Sequence, residues 1–362
     1  MKIPSLPDYI ESLPPWAVPC DPERDVVVST RVRLARNLLD LPFPGHASPQ
    51  ERDEVRDTFR ALPSALPGAW SPWFFPDELS PLERALACER RFATTQLMDP
   101  ALHSAFAVTR DTFGGIMINE EDHIRMQYFA PGLDLFGVWR SLTEWDDILL
   151  NSHPVAFSKS LGFLTACPTN VGTGMRASVT LHLPGLVLND ELEPILNGAS
   201  KLGLAVRGVH GEGSEAFGNM FQLSNQSTLG ENEEDILARL EHIARQLAWT
   251  ELNMRKRLRC NEPARLYDYV GRAFGTLRHA RRMTEDEALD HLGAIRLGLN
   301  LAVVTGVSLA DIDLLSTGIQ PGHLQYFLRA QSDETLDEQA LRANFIRAKL
   351  DNLTLHESSM KR

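Results

Sequence analysis

Residues 26–37 read VVVSTRVRLARN. The apolar opening and the alternation after it predict a β-strand over Val26–Leu34, since successive side chains of a strand point to opposite faces. Ser29, Arg31 and Arg33 then share one face, while Thr30, Val32 and Leu34 share the other, and Arg36 follows just beyond. Two guanidiniums side by side repel unless an anion lies between them. The strand therefore predicts a fold that presents a sheet face to a local anionic ligand.

The remaining composition narrows what that ligand is. The chain has 362 residues, 43% of them hydrophobic, enough for a substantial core, and its length suggests two domains. A formal net charge of −12 and a pI near 5.4 argue against general nucleic-acid or anionic-membrane binding, so neither partner is expected. Of the 36 basic residues only 6 are lysine, a bias that genomic base composition produces without function. Cys20, Cys88, Cys167 and Cys260 lie far apart with no CxxC pair, which is neither a disulfide framework nor a zinc ribbon and fits a reducing, cytoplasmic setting. The opening residues lack the apolar run of a signal peptide, and no stretch approaches the length of a membrane span.

Residues 1–24 are proline-rich and read as an irregular lead-in. Further strands are expected over Ile116–Phe129, Met175–Leu183, Leu204–Val209 and Met220–Ser224. The segments between them do not repeat a strand–helix unit, so an α+β sheet is expected rather than a doubly wound one. At residue 230 the period changes: Ile236, Leu240, Ile243 and Leu247 recur at helical spacing behind Glu233, Glu234 and Asp235. After Arg259 the chain reads as wholly helical, with helix starts at Pro263 and at Thr284-x-x-Glu287, and further helices over 308–315, 320–331 and 334–354. The expected division is 1–24, 25–257 as the catalytic domain, and 258–362 as a helical domain.

Three more stretches carry charge in strand contexts. In GGIMINEEDHIRMQYF (114–129), Ile116, Ile118, Ile124, Met126 and Tyr128 suit a buried face, and Asn119, Glu121, His123, Arg125 and Gln127 fall opposite. In ACPTNVGTGMRASVTLHL (166–183), a Gly-Thr-Gly loop launches Arg176 onto a polar strand face; no lysine follows the glycines, so it is not a Walker A loop. The loop's amides could approach an anion, although such a loop more often simply marks a turn. In AVRGVHGEGSEAFGNMFQLSNQ (205–226), Arg207 closes a strand before a glycine-rich loop that carries Glu212. If these strands share a sheet, Arg31, Arg33, Arg125, Arg176 and Arg207 converge, and a nucleoside triphosphate with Mg²⁺ would neutralise them.

STRVRLARN (29–37), NEEDHIRMQ (119–127), CPTNVGTGMRASV (167–179) and RGVHGEGSEAFGNMFQLSNQSTLG (207–230) together resemble the ATP:guanido phosphotransferase family, over roughly residues 25–255. Within it, the HGEGSEAFGN loop, the helical tail and the short segment before the first arginine motif resemble the bacterial protein-arginine kinase branch. The resemblance implies an α+β phosphagen-kinase catalytic domain, an antiparallel β-sheet flanked by helices, followed by an all-helical C-terminal domain, with ATP and Mg²⁺ and transfer of the γ-phosphoryl group to arginine residues of proteins. The implied nucleotide site comprises Ser29, Thr30, Arg31, Val32, Arg33, Arg91, Arg125, Arg176, Ala177, Ser178, Val179, Thr180, Arg207, Gly208, Val209, His210, Gly211 and Glu212. Glu121 would orient the acceptor and act as base, with Glu212 as its partner and Cys167 holding the guanidinium as a thiolate. A homodimer, Clp protease machinery, a heat-shock repressor and an activator protein are implied partners. The tail stretch Glu338-Gln339-Ala340-Leu341-Arg342-Ala343 keeps only the second half of the branch's RDxxRA pattern for phosphoarginine, so packing and dimer contacts are expected of it. Two rival readings stay open: a kinase of a small guanidino metabolite, and a catalytically silent adaptor.

Overall fold

A computed structural model describes residues 5–19, 25–209, 216–328 and 337–356. The first motif forms β1 (Val27–Arg36). It is followed by β2 (Ala105–Val108), β3 (Gly114–Ile118), β4 (Ile124–Pro131), the short pair β5 (Phe157–Ser158) and β6 (Gly162–Phe163), then β7 (Met175–His182), β8 (Leu204–Gly208) and β9 (Met220–Asn225). Seven of these make one antiparallel sheet in the order β2-β3-β4-β1-β7-β9-β8, as the α+β reading expects. By contact density the chain divides into two compact units, Met1–Pro15, Ser29–Ser178 and Ser224–Glu241 against Trp16–Val28, Val179–Leu223 and His242–Arg362.

Within the first unit the helices are α1 (Leu6–Ile10), α2 (Pro49–Thr58), α3 (Leu62–Ala65), α4 (Pro81–Glu89) and α5 (Leu135–Ser152). Ser48 and Ser80 open α2 and α4 with capping boxes to Glu51 and Glu83, each followed by proline at the first helical position. The register of β1 on β4 sets Arg33 opposite Gln127 and Ala35 opposite Arg125. The odd-numbered residues of both strands therefore share a face, and the alternation read from the sequence holds. The even-numbered face is covered by α5, whose Trp145 packs edge-on against Tyr128 with ring centroids 5.5 Å apart. Arg36 lies on that covered face: it is 1% exposed, and its Nε and Nη2 reach the two carboxylate oxygens of Asp146 at 2.9 and 2.7 Å. Its guanidinium also stacks 3.6 Å from the centroid of the Phe163 ring.

Three expectations need correcting. The lead-in over 1–24 is not wholly irregular, since α1 and a 3₁₀ turn at Pro15–Ala17 form within it. The single strand expected over Ile116–Phe129 is a hairpin, β3 and β4, turned at residues 119–123. Asn119 adopts φ +56°, a left-handed conformation that asparagine tolerates, and its amide donates to His123 O at 3.1 Å. The region after Arg259 is not wholly helical either. Two-residue strands β10 (Val304–Thr305) and β11 (Thr354–Leu355) pair there, a signal too short to show in a periodicity.

In the second unit α6 (Pro184–Leu188) and α7 (Leu192–Lys201) precede β8. The long α8 (Glu233–Asn261) runs from the first unit's share of the chain into the second, and is followed by α9 (Pro263–His279), α10 (Glu285–Asn300), α11 (Leu309–Gly318), α12 (Pro321–Leu328) and α13 (Glu338–Lys349). Thr284 caps α10 by accepting from Glu287 N at 3.2 Å. Leu266, Val270, Ala273 and Leu277 recur at helical spacing on α9 and join Leu292, Ile295, Ile312 and Ile346 in one apolar core. A buried polar network complements it: Arg255 Nη1, Arg296 Nη1 and Asn300 Nδ2 all donate to Asp25 O at 3.0 Å. Arg255 is paired to Glu251 and Arg296 to Asp313. His182 sits among them, and burial, followed by the two guanidiniums, holds its pKa well below the usual histidine value.

The Arg36–Asp146 pair allows a direct test of how the first unit is held. Asp146→Ala leaves a buried guanidinium without its carboxylate and should cost about 3–5 kcal/mol in chemical unfolding. An Arg36→Met/Asp146→Leu double variant should recover most of that loss. Equal destabilisation by the two would contradict a charge-pairing account.

Candidate functional site

β1, β4, β7 and the hairpin turn bring charged side chains to one open cleft of about 220 Å³ in the first unit. It is lined by Arg33, Leu34, Ala35, Glu121, Arg125, Cys167, Asn170, Gly174 and Arg176. Of the sequence candidates, Arg33, Arg125, Arg176, Glu121 and Cys167 are thus brought together. Arg31 stands beside Arg33 on the same strand face, and its Nε donates to Gln127 Oε1 at 3.1 Å. Gln127 Nε2 in turn donates to Arg91 O at 2.7 Å, so one amide joins β1, β4 and the turn after α4.

The cations are not equivalent. Burial lowers the Arg33 pKa to about 10, and the neighbouring Arg176 and Arg125 press it the same way. Arg33 Nε is buried with no hydrogen-bond partner. Burial also pushes Arg31 well below its usual value, reinforced by Arg33 and then Arg91, and burial lowers Arg91 to about 10. A guanidinium does not give up its proton in this range of conditions. Such shifts therefore measure how strongly the group favours an added negative charge. Arg125 is the opposite case: burial alone would lower its pKa, but Glu120, Asp122 and Glu121 outweigh it and raise it. Its Nη1 pairs with Glu120 and its Nη2 with Glu121 and Asp122.

The cleft is therefore polarised, with arginines from β1 and β7 facing a carboxylate group at the hairpin turn. Glu120 and Asp122 are 4% and 0% exposed, whereas the Glu121 side chain is 43% exposed. Asp122 also accepts from Asn37 Nδ2 at 2.9 Å and from Ala166 N at 2.8 Å, tying the turn to the residue before Cys167. Cys167 precedes a single 3₁₀ turn, Pro168–Asn170, and its Sγ lies 3.0 Å from Thr169 Oγ1. Strand alternation misassigned this region. It placed Glu121 on a strand face and gave Glu120 and Asp122 no role, because a turn brings all three carboxylates to one guanidinium. The signal was the cluster of Asn and Asp, both turn formers, inside an overlong strand.

The Gly-Thr-Gly loop serves as a turn. Gly172 N donates to Phe163 O and Gly174 N to Asn170 O, so these two amides are committed within the protein. Gly174 has φ +65°, and a β-carbon there would lie 2.6 Å from Ala35 O. Glycine is what lets this loop seat against β1.

Other sequence candidates sit differently. Thr30, Val32, Ala177 and Val179 are fully buried, main chain included, and present no surface to the cleft. Thr30 Oγ1 donates to Gly132 O at 2.7 Å. Ser29, Ser178 and Thr180 are buried polar residues. Arg207 is exposed on β8, in the second unit, where Gly208 ends the strand and Val209 N donates to Met220 O. His210, Gly211 and Glu212 lie outside the described residues.

If the cluster of arginines is built for an anion, inorganic triphosphate should raise the unfolding temperature of the protein, by the mass-action stabilisation of any ligand that binds only the folded state. Arg33→Ala should weaken that binding about tenfold or more. An undiminished thermal shift in the variant would contradict the assignment.

The comparisons with known proteins follow this geometry. Residues 76–254 match the ATP:guanido phosphotransferase C-terminal catalytic domain, and residues 263–361 match the Protein-arginine kinase McsB C-terminal domain. The protein-arginine kinase of Halothermothrix orenii is 37% identical over 348 residues, covering 96% of this chain and 99% of that one. That of Symbiobacterium thermophilum is 40% identical over 345 residues, covering 92% and 96%. Among solved structures, lombricine kinase superposes with a TM-score of 0.56 at 25% identity, covering 69% of this chain and 71% of that one. Substrate-free duplicated taurocyamine kinase from Schistosoma mansoni gives 0.59 at 25% identity, covering 70% and 39%. On matches of this length and identity, the chain belongs to the protein-arginine kinases of the ATP:guanido phosphotransferase family.

Proposed function

We propose that this protein transfers the γ-phosphoryl group of ATP to the guanidino group of arginine residues in proteins, with the named cleft as its catalytic centre. The observation that carries the proposal is the polarised cleft, in which Arg33 and Arg176 face Glu121 and Cys167. Membership of the family supports a kinase that uses ATP.

Phosphoryl transfer depends on positioning and charge neutralisation more than on covalent help. Arg31, Arg33, Arg125, Arg176 and Arg207 hold the triphosphate in this reading, and Arg91 adds a further cation beside Arg31. Magnesium would be carried on the phosphate oxygens: Glu120 and Asp122 are engaged by Arg125, and among the described residues no cluster of His, Cys, Asp and Glu could cage a metal. Bound there, it supplies positive charge to the phosphates.

The acceptor guanidinium stays protonated at neutral pH and is a poor nucleophile until it is oriented and relieved of a proton. Glu121 is the exposed member of its carboxylate group and takes that role. Its pairing to Arg125 suggests the sequence of events: a phosphate reaching Arg125 competes for the guanidinium and frees Glu121 for the incoming arginine. Cys167 lines the same cleft as a second contact for the acceptor, and Glu212 remains the proposed partner of Glu121. The catalytic part is assigned to 25–257 and the helical part to 258–362. Arg342 in the latter is engaged by Ile319 O, Met283 O and Glu338, which supports packing as the role of the Glu338–Ala343 stretch. A homodimer, Clp protease machinery, a heat-shock repressor, an activator and a cytoplasmic setting complete the proposal. Among the described residues no helix is long and apolar enough to cross a membrane.

Incubation with ATP and an unfolded protein such as casein, followed by mass spectrometry under mild conditions, should show acid-labile phosphate on arginine. Rapid turnover of free arginine with none on protein would favour the small-metabolite kinase. Nucleotide binding with no transfer to either would favour the adaptor. Glu121→Gln should lower kcat about 10²–10⁴-fold with little change in ATP affinity; an unchanged kcat would remove Glu121 from the mechanism.

A further inference from the structure

We propose that an apolar rim beside the cleft docks the residues flanking the target arginine, so that the preferred substrate is an extended segment with large apolar side chains next to its arginine. This rests on the protein-arginine kinase reading above.

The rim is built on one packed block. β5 and β6 set Phe157 opposite Phe163 and Ser158 opposite Gly162, and the two phenylalanine rings meet edge-on at 5.2 Å. Phe163 pairs in both directions with Gly172, through hydrogen bonds of 2.7 and 3.2 Å. A β-carbon on Gly172 would lie 2.6 Å from Thr228 O and 3.0 Å from Leu229 Cα, and Thr228 Oγ1 donates to Val171 O at 2.8 Å. Leu39 N donates to Pro154 O at 3.1 Å, closing the end of β1 onto the entry to the hairpin. The hairpin, the Cys167–Gly174 loop and residues 228–229 therefore form a continuous surface, and that loop lends Cys167, Asn170 and Gly174 to the cleft wall.

This surface is unusually apolar for an exposed one. Leu39, Phe157, Leu161 and Leu229 are 57%, 54%, 44% and 54% exposed. Among the described residues of the first unit, the other large apolar side chains so exposed are Leu13 and Phe136, on different elements. A grouping of this kind on a soluble surface marks a binding face, and its continuity with the cleft names the occupant. A substrate whose guanidinium enters between Cys167 and Glu121 must lay its neighbouring residues on one flank or the other. An extended chain advances about 3.3 Å per residue and turns alternate side chains to one side, so positions a few residues from the target present their side chains to the rim. Arginines flanked by apolar residues are mostly covered in folded proteins and become available when a chain unfolds. The rim thus selects for segments that folding hides.

Steady-state kinetics on two arginine peptides, one flanked by Leu and Phe and one by Ser, test this with the full-length protein. The wild type should favour the apolar peptide about tenfold in kcat/KM, mainly through KM. A Phe157→Ser/Leu229→Ser double variant should bring the two peptides close to parity while leaving the KM for ATP and the rate on the Ser-flanked peptide unchanged. Equal use of both peptides by the wild type would overturn the proposal without recourse to any variant. So would a preference that survives in the double variant, or a change of oligomeric state as the sole effect of the substitutions. Failure of the wild type to phosphorylate either peptide would instead overturn the kinase reading on which the proposal rests.

Discussion

Repulsion among guanidiniums that share a partly buried sheet face is the constraint around which the first unit of this molecule is arranged. Arg31 and Arg33 leave β1 on the same side, Arg176 joins Arg33 from β7, and Arg91 approaches Arg31. Burial strengthens every charge interaction, including the unfavourable ones. One support is neutral: the Gln127 amide bridges Arg31 and the backbone of Arg91. Arg125 is the exception, surrounded by three carboxylates. The resulting field runs from positive to negative across a single cleft, which suits a reaction joining a polyphosphate to a cationic acceptor.

The same residue type serves two ends in this chain. Arg36, Arg255, Arg296 and Arg342 are among its largest fully buried side chains, and each is saturated by carboxylates or carbonyl oxygens. Their contribution is to pin elements together; removing a partner is costly even where the pair itself adds little. Arg33, which lines the cleft, differs in that its Nε is buried with no hydrogen-bond partner. The same residue type thus both pins buried elements together and lines the cleft.

Much of this was legible in the sequence because strand alternation is local. The faces of β1 and β4 follow from residue parity, and register then brings Arg33 opposite Gln127. Helix starts at Glu233, Pro263 and Thr284 were equally readable from acidic first turns, proline and capping residues. What parity could not supply was the break at Asn119, where a left-handed residue turns the chain and gathers Glu120, Glu121 and Asp122 on one guanidinium. Parity does set Arg36 on the face opposite Arg33, but it could not show that a helix brings Asp146 to that face. β2, buried and four residues long, offered no period to read. The apolar rim was invisible for the opposite reason, since its members are scattered from Leu39 to Leu229 and meet only through backbone packing around Gly172.

The most direct measurement is a crystal structure with a non-hydrolysable ATP analogue bound. Phosphate oxygens within hydrogen-bonding distance of the Arg33 and Arg176 guanidiniums, with Glu121 on the far side of the terminal phosphate, are the predicted result. Phosphates seated elsewhere, with Arg33 and Arg176 left out of contact, would contradict the account.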